Sequence, residues 1–267
     1  MDLVTPGGGL RITHQRAGSG AALVLLHGGF GFDSRAWQPQ FDDLTDEFTL
    51  VAWDAPGCGG SDDPPASFRM ADYADCLVEF LTALGLHRPH VLGISFGGAL
   101  ALALFGRHPT LPGSLILTGA YAGWAGSLPA DEVQRRLQRI GEDLTHPPAD
   151  WLATYLTGML TESAPEEMVG RMLALMSDIR PGPSLTMLRA MAESDLRDVL
   201  PTIDVPTLVL HGDLDSRAPL SIGRELHEQI PGSQLVVLPG VGHLSNVEAA
   251  GAFNREVRSF VRTASTR

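Results

Sequence analysis

The stretch VLGISFGGALA, residues 91–101, sets one hydroxyl, Ser95, among glycines between two apolar runs. Glycine loses more backbone entropy on folding than any other residue, so neither a strand nor a helix gains from so many of them. A strand over 90–94 that turns sharply into a helix from residue 96 accounts for their presence. Gly93 and Gly97 then flank the serine at spacing two. This is the G-x-S-x-G pattern, in which a strained turn lifts a serine above a sheet edge and neighbours without side chains let strand and helix approach. The start of that helix would aim the Phe96 N–H at the place where a developing oxyanion sits. The alternative is a glycine-rich bend with a solvated serine, which leaves the strand before it and the helix after it unexplained.

Outward from this turn, short aliphatic or β-branched runs bounded by Gly, Pro and Asp predict strands over 10–15, 22–26, 49–53, 90–94, 114–118, 207–211 and 234–238. Most are nearly continuous in apolar character, as parallel strands covered on both faces are. Between them lie helical patterns over 70–84, 96–107, 220–229 and 246–262. Alternating strand and helix predicts an α/β fold with a mostly parallel central sheet flanked by helices. The alternation stops from about 121 to 200, where helical segments are punctuated by HPPAD at 146–150 and RPGPS at 180–184. That region is expected to be a helical insertion over a core made of 1–120 and 201–267. It holds six of the eight methionines, with Trp124, Trp151 and Tyr155. Met168, Met172 and Met176, at spacing four, read as a buried stripe; the other reading of such residues is a lid lining a substrate pocket.

The chain has 267 residues, 44% hydrophobic and 19% charged, the balance of an ordinary globular protein. Its formal charge of −12 argues against nucleic acid or an anionic membrane surface as a partner, and no Lys/Arg stripe contradicts that. Two cysteines, Cys58 and Cys76, are too few for a disulfide framework and are expected to be reduced, without a metal role. The first residues lack a basic stretch followed by an apolar one, so a cytoplasmic location is expected. The apolar runs fall short of the roughly twenty residues that a membrane span needs.

A serine hydroxyl is a weak nucleophile until a base takes its proton, and the base needs a group to orient it. On a turn of this kind the chain order is serine, acid, histidine, which confines the search to positions after 95. His243, in LPGVGHLSNVEA, lies after the last strand, a loop position where ligands bind in open α/β sheets. His108, His146 and His227 read as surface residues, and His211 as a structural histidine ending a strand. For the acid, HGDLDSRAP after strand 207–211 offers Asp213 and Asp215. Asp215 sits deep enough in the loop to reach His243, whereas Asp213 beside Gly212 reads as a turn residue. The second oxyanion donor is expected from LLHGGFG after strand 22–26. Gly29 is the natural donor there, with Phe30 as the alternative.

The HGG segment at 27–29, D-x-P-G-x-G-x-S at 54–61, GISFGG at 93–98, G-x-x-D at 212–215 and GHLSNVEA at 242–249 follow one another along the whole chain outside 121–200. In this order they resemble the α/β-hydrolase superfamily. The resemblance implies Ser95, Asp215 and His243 as a catalytic triad, Gly29 and Phe96 as oxyanion donors, and 121–200 as a helical cap. It also implies that Asp54 is structural, bracing the oxyanion loop. The stretch 242–261 is similar to that of 3-oxoadipate enol-lactonases, which suggests an ester or lactone substrate. Carbon–carbon hydrolases of ring cleavage often carry Asn before the nucleophile and Trp after the histidine, where this chain has Ile94 and Leu244. Dehalogenases and epoxide hydrolases of this fold use an aspartate where Ser95 stands. Peroxide could replace water as acceptor of the acyl group, and a non-catalytic ligand-binding role is a further alternative, though triad and glycine loops are intact. No metal or organic cofactor is needed for acyl transfer to water. The methionines and tryptophans of 121–200, with no basic cluster, predict a mid-sized, mostly apolar small-molecule substrate.

Overall fold

Leu23 to Leu26, and the whole of His90–Ile94, Ser114–Thr118 and Thr207–Gly212, are buried. A parallel sheet covered by helices on both faces has no solvent side to call for polar residues, so these runs show no alternation. The computed structural model describes residues 1–5, 7 and 9–266; Pro6, Gly8 and Arg267 of the expected core stretches lie outside the described residues.

The strands are β1 (Asp2–Val4), β2 (Ile12–Ala17), β3 (Ala21–Leu26), β4 (Phe48–Trp53), β5 (His90–Ile94), β6 (Ser114–Thr118), β7 (Thr207–Gly212) and β8 (Gln234–Leu238). They form one sheet in the order β1-β2-β4-β3-β5-β6-β7-β8. β2 pairs antiparallel with both β1 and β4, and β3 through β8 are parallel to one another. From β3 the chain adds β4 on one side and then crosses to add β5 on the other. The strand order therefore reverses at β3 and β5, and the crevice beyond their carboxyl ends is where such sheets bind ligands.

The helices are α1 (Gln38–Leu44), α2 (Met70–Ala83), α3 (Phe96–Arg107), α4 (Ala130–Asp143), α5 (Pro148–Thr157), α6 (Glu166–Met176), α7 (Pro181–Glu193), α8 (Leu220–Gln229), α9 (Ser245–Glu248) and α10 (Ala250–Ala264). α3 packs on β3, β5 and β6, α8 on β7 and β8, and α10 on β6 and β8. Between β6 and β7 the described chain forms α4 to α7 and no strand. Among the described residues no helix is long and apolar enough to cross a membrane.

The sequence reading missed α1, for which it expected no helical pattern, and differs at three other places. The strand expected over 10–15 is β2, displaced to Ile12–Ala17, and β1 has no apolar run to announce it because its residues stand at a largely exposed sheet edge. The single helix expected over 246–262 is two, α9 and α10, broken at Ala249 with φ −127° and ψ 42°. A distant side chain stands at the break. Gln40 donates from Nε2 to the Asn246 carbonyl at 2.9 Å and to Asn254 Oδ1 at 2.8 Å. That carbonyl would otherwise serve the next helical turn.

Candidate active site

β5 delivers the chain to Ser95 with φ 55° and ψ −112°, a backbone conformation that costs an L-residue on the order of 1–3 kcal/mol. The Ser95 N–H donates to Thr118 O at 2.9 Å and ties the turn to the end of β6. A Cβ on Gly93 would fall 2.1 Å from Gly97 O, and one on Gly97 would fall 2.1 Å from Leu26 O. The flanking glycines are thus required by close backbone approach on both sides of the serine. Phe96 opens α3, so its N–H has no helical acceptor, and the Gly29 N–H makes no hydrogen bond with any described residue. Ser95, Gly29 and Phe96 line one cavity.

The loop that carries Gly29 is held from behind. His27 accepts the Ala55 N–H at Nε2 (3.0 Å), which leaves the proton on Nδ1 to donate to Gly28 O at 2.6 Å. Burial pushes this imidazole below its ordinary pKa and keeps it neutral. Asp54 is fully buried and accepts the Ser34 N–H at 2.8 Å and the Thr13 hydroxyl. Its partners stand behind the cavity, not in it, and brace the segment that follows the Gly29 loop. The chain turns at Phe30 and Gly31 with φ of 60° and 77°.

Asp215, after β7, and His243, between β8 and α9, meet: Nδ1 of the buried imidazole lies 2.7 Å from Asp215 Oδ2. Asp215 Oδ1 accepts the N–H groups of Arg217 at 2.9 Å and Ala218 at 2.8 Å, so the carboxylate has one orientation. Burial alone would raise its pKa, but the charge and hydrogen bond of His243, with the Ala218 N–H, hold it below the usual carboxylate range. An ionised Asp215 places the His243 proton on Nδ1 and leaves Nε2 to accept. His243 and Ser95 share the cavity wall, but no hydrogen bond joins Ser95 Oγ to His243 among the described residues. Contacts of this kind often tighten only in the complex with substrate.

The other candidates fall elsewhere. Asp213 is exposed and accepts the Gly240 N–H at 2.6 Å, a turn contact. His211 is buried, bonds Ala218 O at 2.7 Å and stands 3.6 Å from Asp215 Oδ2 as support for the acid. His108 faces Asp75, His227 faces Ser233, and His146 is exposed. Both cysteines are free and buried; burial pushes the Cys58 thiol up strongly and Cys76 to about 12. Among the described residues no group of three or more His, Cys, Asp or Glu is placed to hold a metal ion.

The cavity encloses about 620 Å³ out to its mouth, but the centre of a water molecule finds room in only about 40 Å³ of it. It is a narrow slot. Met159, Met187, Met191, Trp124 and Tyr155 supply apolar wall, whereas Met172 and Met176 are buried core. Three residues escaped the sequence reading. Gly119, with φ 49°, lies against the His243 imidazole. Arg136 and Arg217, 81 positions apart, both line the slot, so a basic pair is present that no local run of sequence announces.

A family model described as the alpha/beta hydrolase fold matches residues 21–250. A candidate carbamate hydrolase, RutD, of Caulobacter sp. (strain K31) is 31% identical, the match covering 93% of each chain. The pimeloyl-[acyl-carrier protein] methyl ester esterase of Pectobacterium carotovorum subsp. carotovorum (strain PC1) is 32% identical, over 90% of this chain and 94% of that one. Among solved structures, a thermophilic esterase from Thermogutta terrifontis superposes with a TM-score of 0.89 at 26% identity, covering 98% of both chains.

Proposed function

Because this chain belongs to the α/β-hydrolase fold family, we propose that it is a serine hydrolase cleaving a carboxylic ester or lactone through an acyl-enzyme. The observation that carries the reading is the 2.7 Å bond from His243 Nδ1 to Asp215 Oδ2, with that imidazole and Ser95 on the wall of one slot. Ser95 Oγ attacks the carbonyl while His243 Nε2 takes its proton. The charge that develops on the carbonyl oxygen is met by the N–H groups of Gly29 and Phe96, which have no other partner among the described residues. Asp215 stabilises the imidazolium, which then protonates the leaving alcohol. Water, deprotonated by the same histidine, releases the acid.

The helices α4 to α7 and their connections act as a cap in this reading, contributing apolar wall through Met159, after α5, and through Met187 and Met191 of α7. The relatives named above are called a candidate carbamate hydrolase and a methyl ester esterase, and carbamates and esters both present a carbonyl carbon to a nucleophile. Steady-state hydrolysis of short and medium p-nitrophenyl esters beside γ- and enol-lactones tests the proposal. Turnover that falls at least 10³-fold in Ser95→Ala is expected. Equal turnover by wild type and Ser95→Ala on every substrate overturns it.

A further inference from the structure

Arg136 and Arg217 line the same slot but are balanced differently. Arg136 donates from Nε to Glu132 at 2.7 Å and from Nη1 to the Tyr121 hydroxyl at 3.1 Å, and its charge is paired. No ion pair among the described residues includes the Arg217 guanidinium. Its Cζ stands 4.0 Å over the Tyr155 ring, Nη2 donates to Tyr155 O, and a Cβ on Gly158 would meet Nε at 3.0 Å. The group is held between the Tyr155 ring and Gly158. Nε is cut off from solvent without an acceptor, and Nη1 donates to no described residue. A planar cation on the slot wall, with Nη1 left without a partner among the described residues, is prepared for an acceptor that brings a negative charge.

We infer that Arg217 receives a carboxylate carried by the substrate, away from the bond that is cleaved. The substrate class is an ester or lactone with a slender apolar body and one anionic end. The inference rests on the reading of Ser95 and His243 as the hydrolytic centre. The chain's net charge of −12 repels anions at long range. Selectivity for one must therefore arise at short range, where a guanidinium in a low-dielectric wall is effective. Arg217 is a binding residue in this scheme and takes no proton. A purely structural Arg217 would anchor α5 to the loop after β7 and leave charge preference untouched.

The test compares monomethyl glutarate with dimethyl glutarate, equal in length and differing in one charge. Binding is measured calorimetrically on Ser95→Ala, which holds the esters intact, and kcat/KM on the wild type. The expected result is at least a tenfold preference for the anionic ester in binding, narrowing at least tenfold in Ser95→Ala/Arg217→Ala and partly kept in Arg217→Lys. Equal affinity of Ser95→Ala for the two esters overturns the inference without recourse to any Arg217 variant. So does a preference that survives Arg217→Ala. Anion-selective binding without wild-type turnover of either ester would support the anion site and count against the hydrolytic reading instead.

Discussion

A Cβ on Gly119 would stand 2.8 Å from both Cε1 and Nδ1 of His243 and 3.3 Å from Asp215 Oδ2. The imidazole rests on the space that this glycine leaves open. Gly119→Ala must either push the ring away from Asp215 or move the end of β6, and at φ 49° the alanine is strained besides. On the proposed mechanism kcat falls about 100-fold, since small misplacement of a catalytic group costs that much. The melting temperature drops by the equivalent of about 1–2 kcal/mol. Wild-type kcat in the alanine variant would refute the role.

Asp215→Asn separates tautomer control from packing. Oδ1 accepts two backbone N–H groups, so the asparagine oxygen is held there and its NH₂ replaces Oδ2 against His243. A donor facing Nδ1 favours the tautomer with the proton on Nε2, which cannot take a proton from Ser95. A fall in kcat of roughly 10³–10⁴-fold is expected, with a circular dichroism spectrum like that of the wild type. A loss below tenfold would show that Asp215 does not set the tautomer.

Acid is expected to destabilise the fold through its buried histidines. Burial pushes His14, His27, His90 and His211 below the ordinary histidine value. Below about pH 6.5 the unfolded chain therefore binds protons that the folded chain refuses, and stability falls as pH falls. Each histidine contributes a slope of at most about 1.4 kcal/mol per pH unit. His27 links this to the site, because a proton on Nε2 would face the Ala55 N–H and break a brace of the Gly29 loop. Urea midpoints measured from about pH 8 to 5 should hold at the alkaline end and decline below about 6.5; a flat profile would contradict the neutral assignment.

Asp54→Asn tests the brace from the other side. The buried carboxylate faces donors at both oxygens, the Ser34 N–H and the Thr13 hydroxyl. Asparagine keeps the Ser34 bond at its oxygen, but its NH₂ donates to the Thr13 hydroxyl, which turns from donor to acceptor, and both bonds lose the carboxylate's charge. A loss of about 1–2 kcal/mol is expected, read as a lower denaturant midpoint, together with reduced kcat from a slackened Gly29 loop if that loop acts as proposed. An unchanged midpoint would show that the brace carries no stability.

The central strands were legible because their signal is short-range. β5 and β6 match the expected runs residue for residue, and β3 and β7 differ by a single residue. The G-x-S-x-G spacing also pointed to its own cause, since Gly93 and Gly97 are needed within four positions of each other. Chain order led to Asp215 and His243, and these two form a hydrogen bond. The break at Ala249 was not legible, because Gln40 lies 206 positions from the carbonyl that it takes.

By itself the amino-acid sequence determined the alternating strands and helices, the strained turn at Ser95 and the loops that could bring an acid and a base to it. Backbone preference, glycine freedom and apolar runs act over a few residues and so leave a readable pattern. Only the tertiary structure decided that Gly119 supports His243, that His27 holds the Gly29 loop from behind, which donors Asp54 meets, and that Arg136 and Arg217 enter one slot. Those relationships are contacts between side chains and backbone far apart in the chain. The packing of the whole sheet and its helices, not any local preference, brings them within bonding distance.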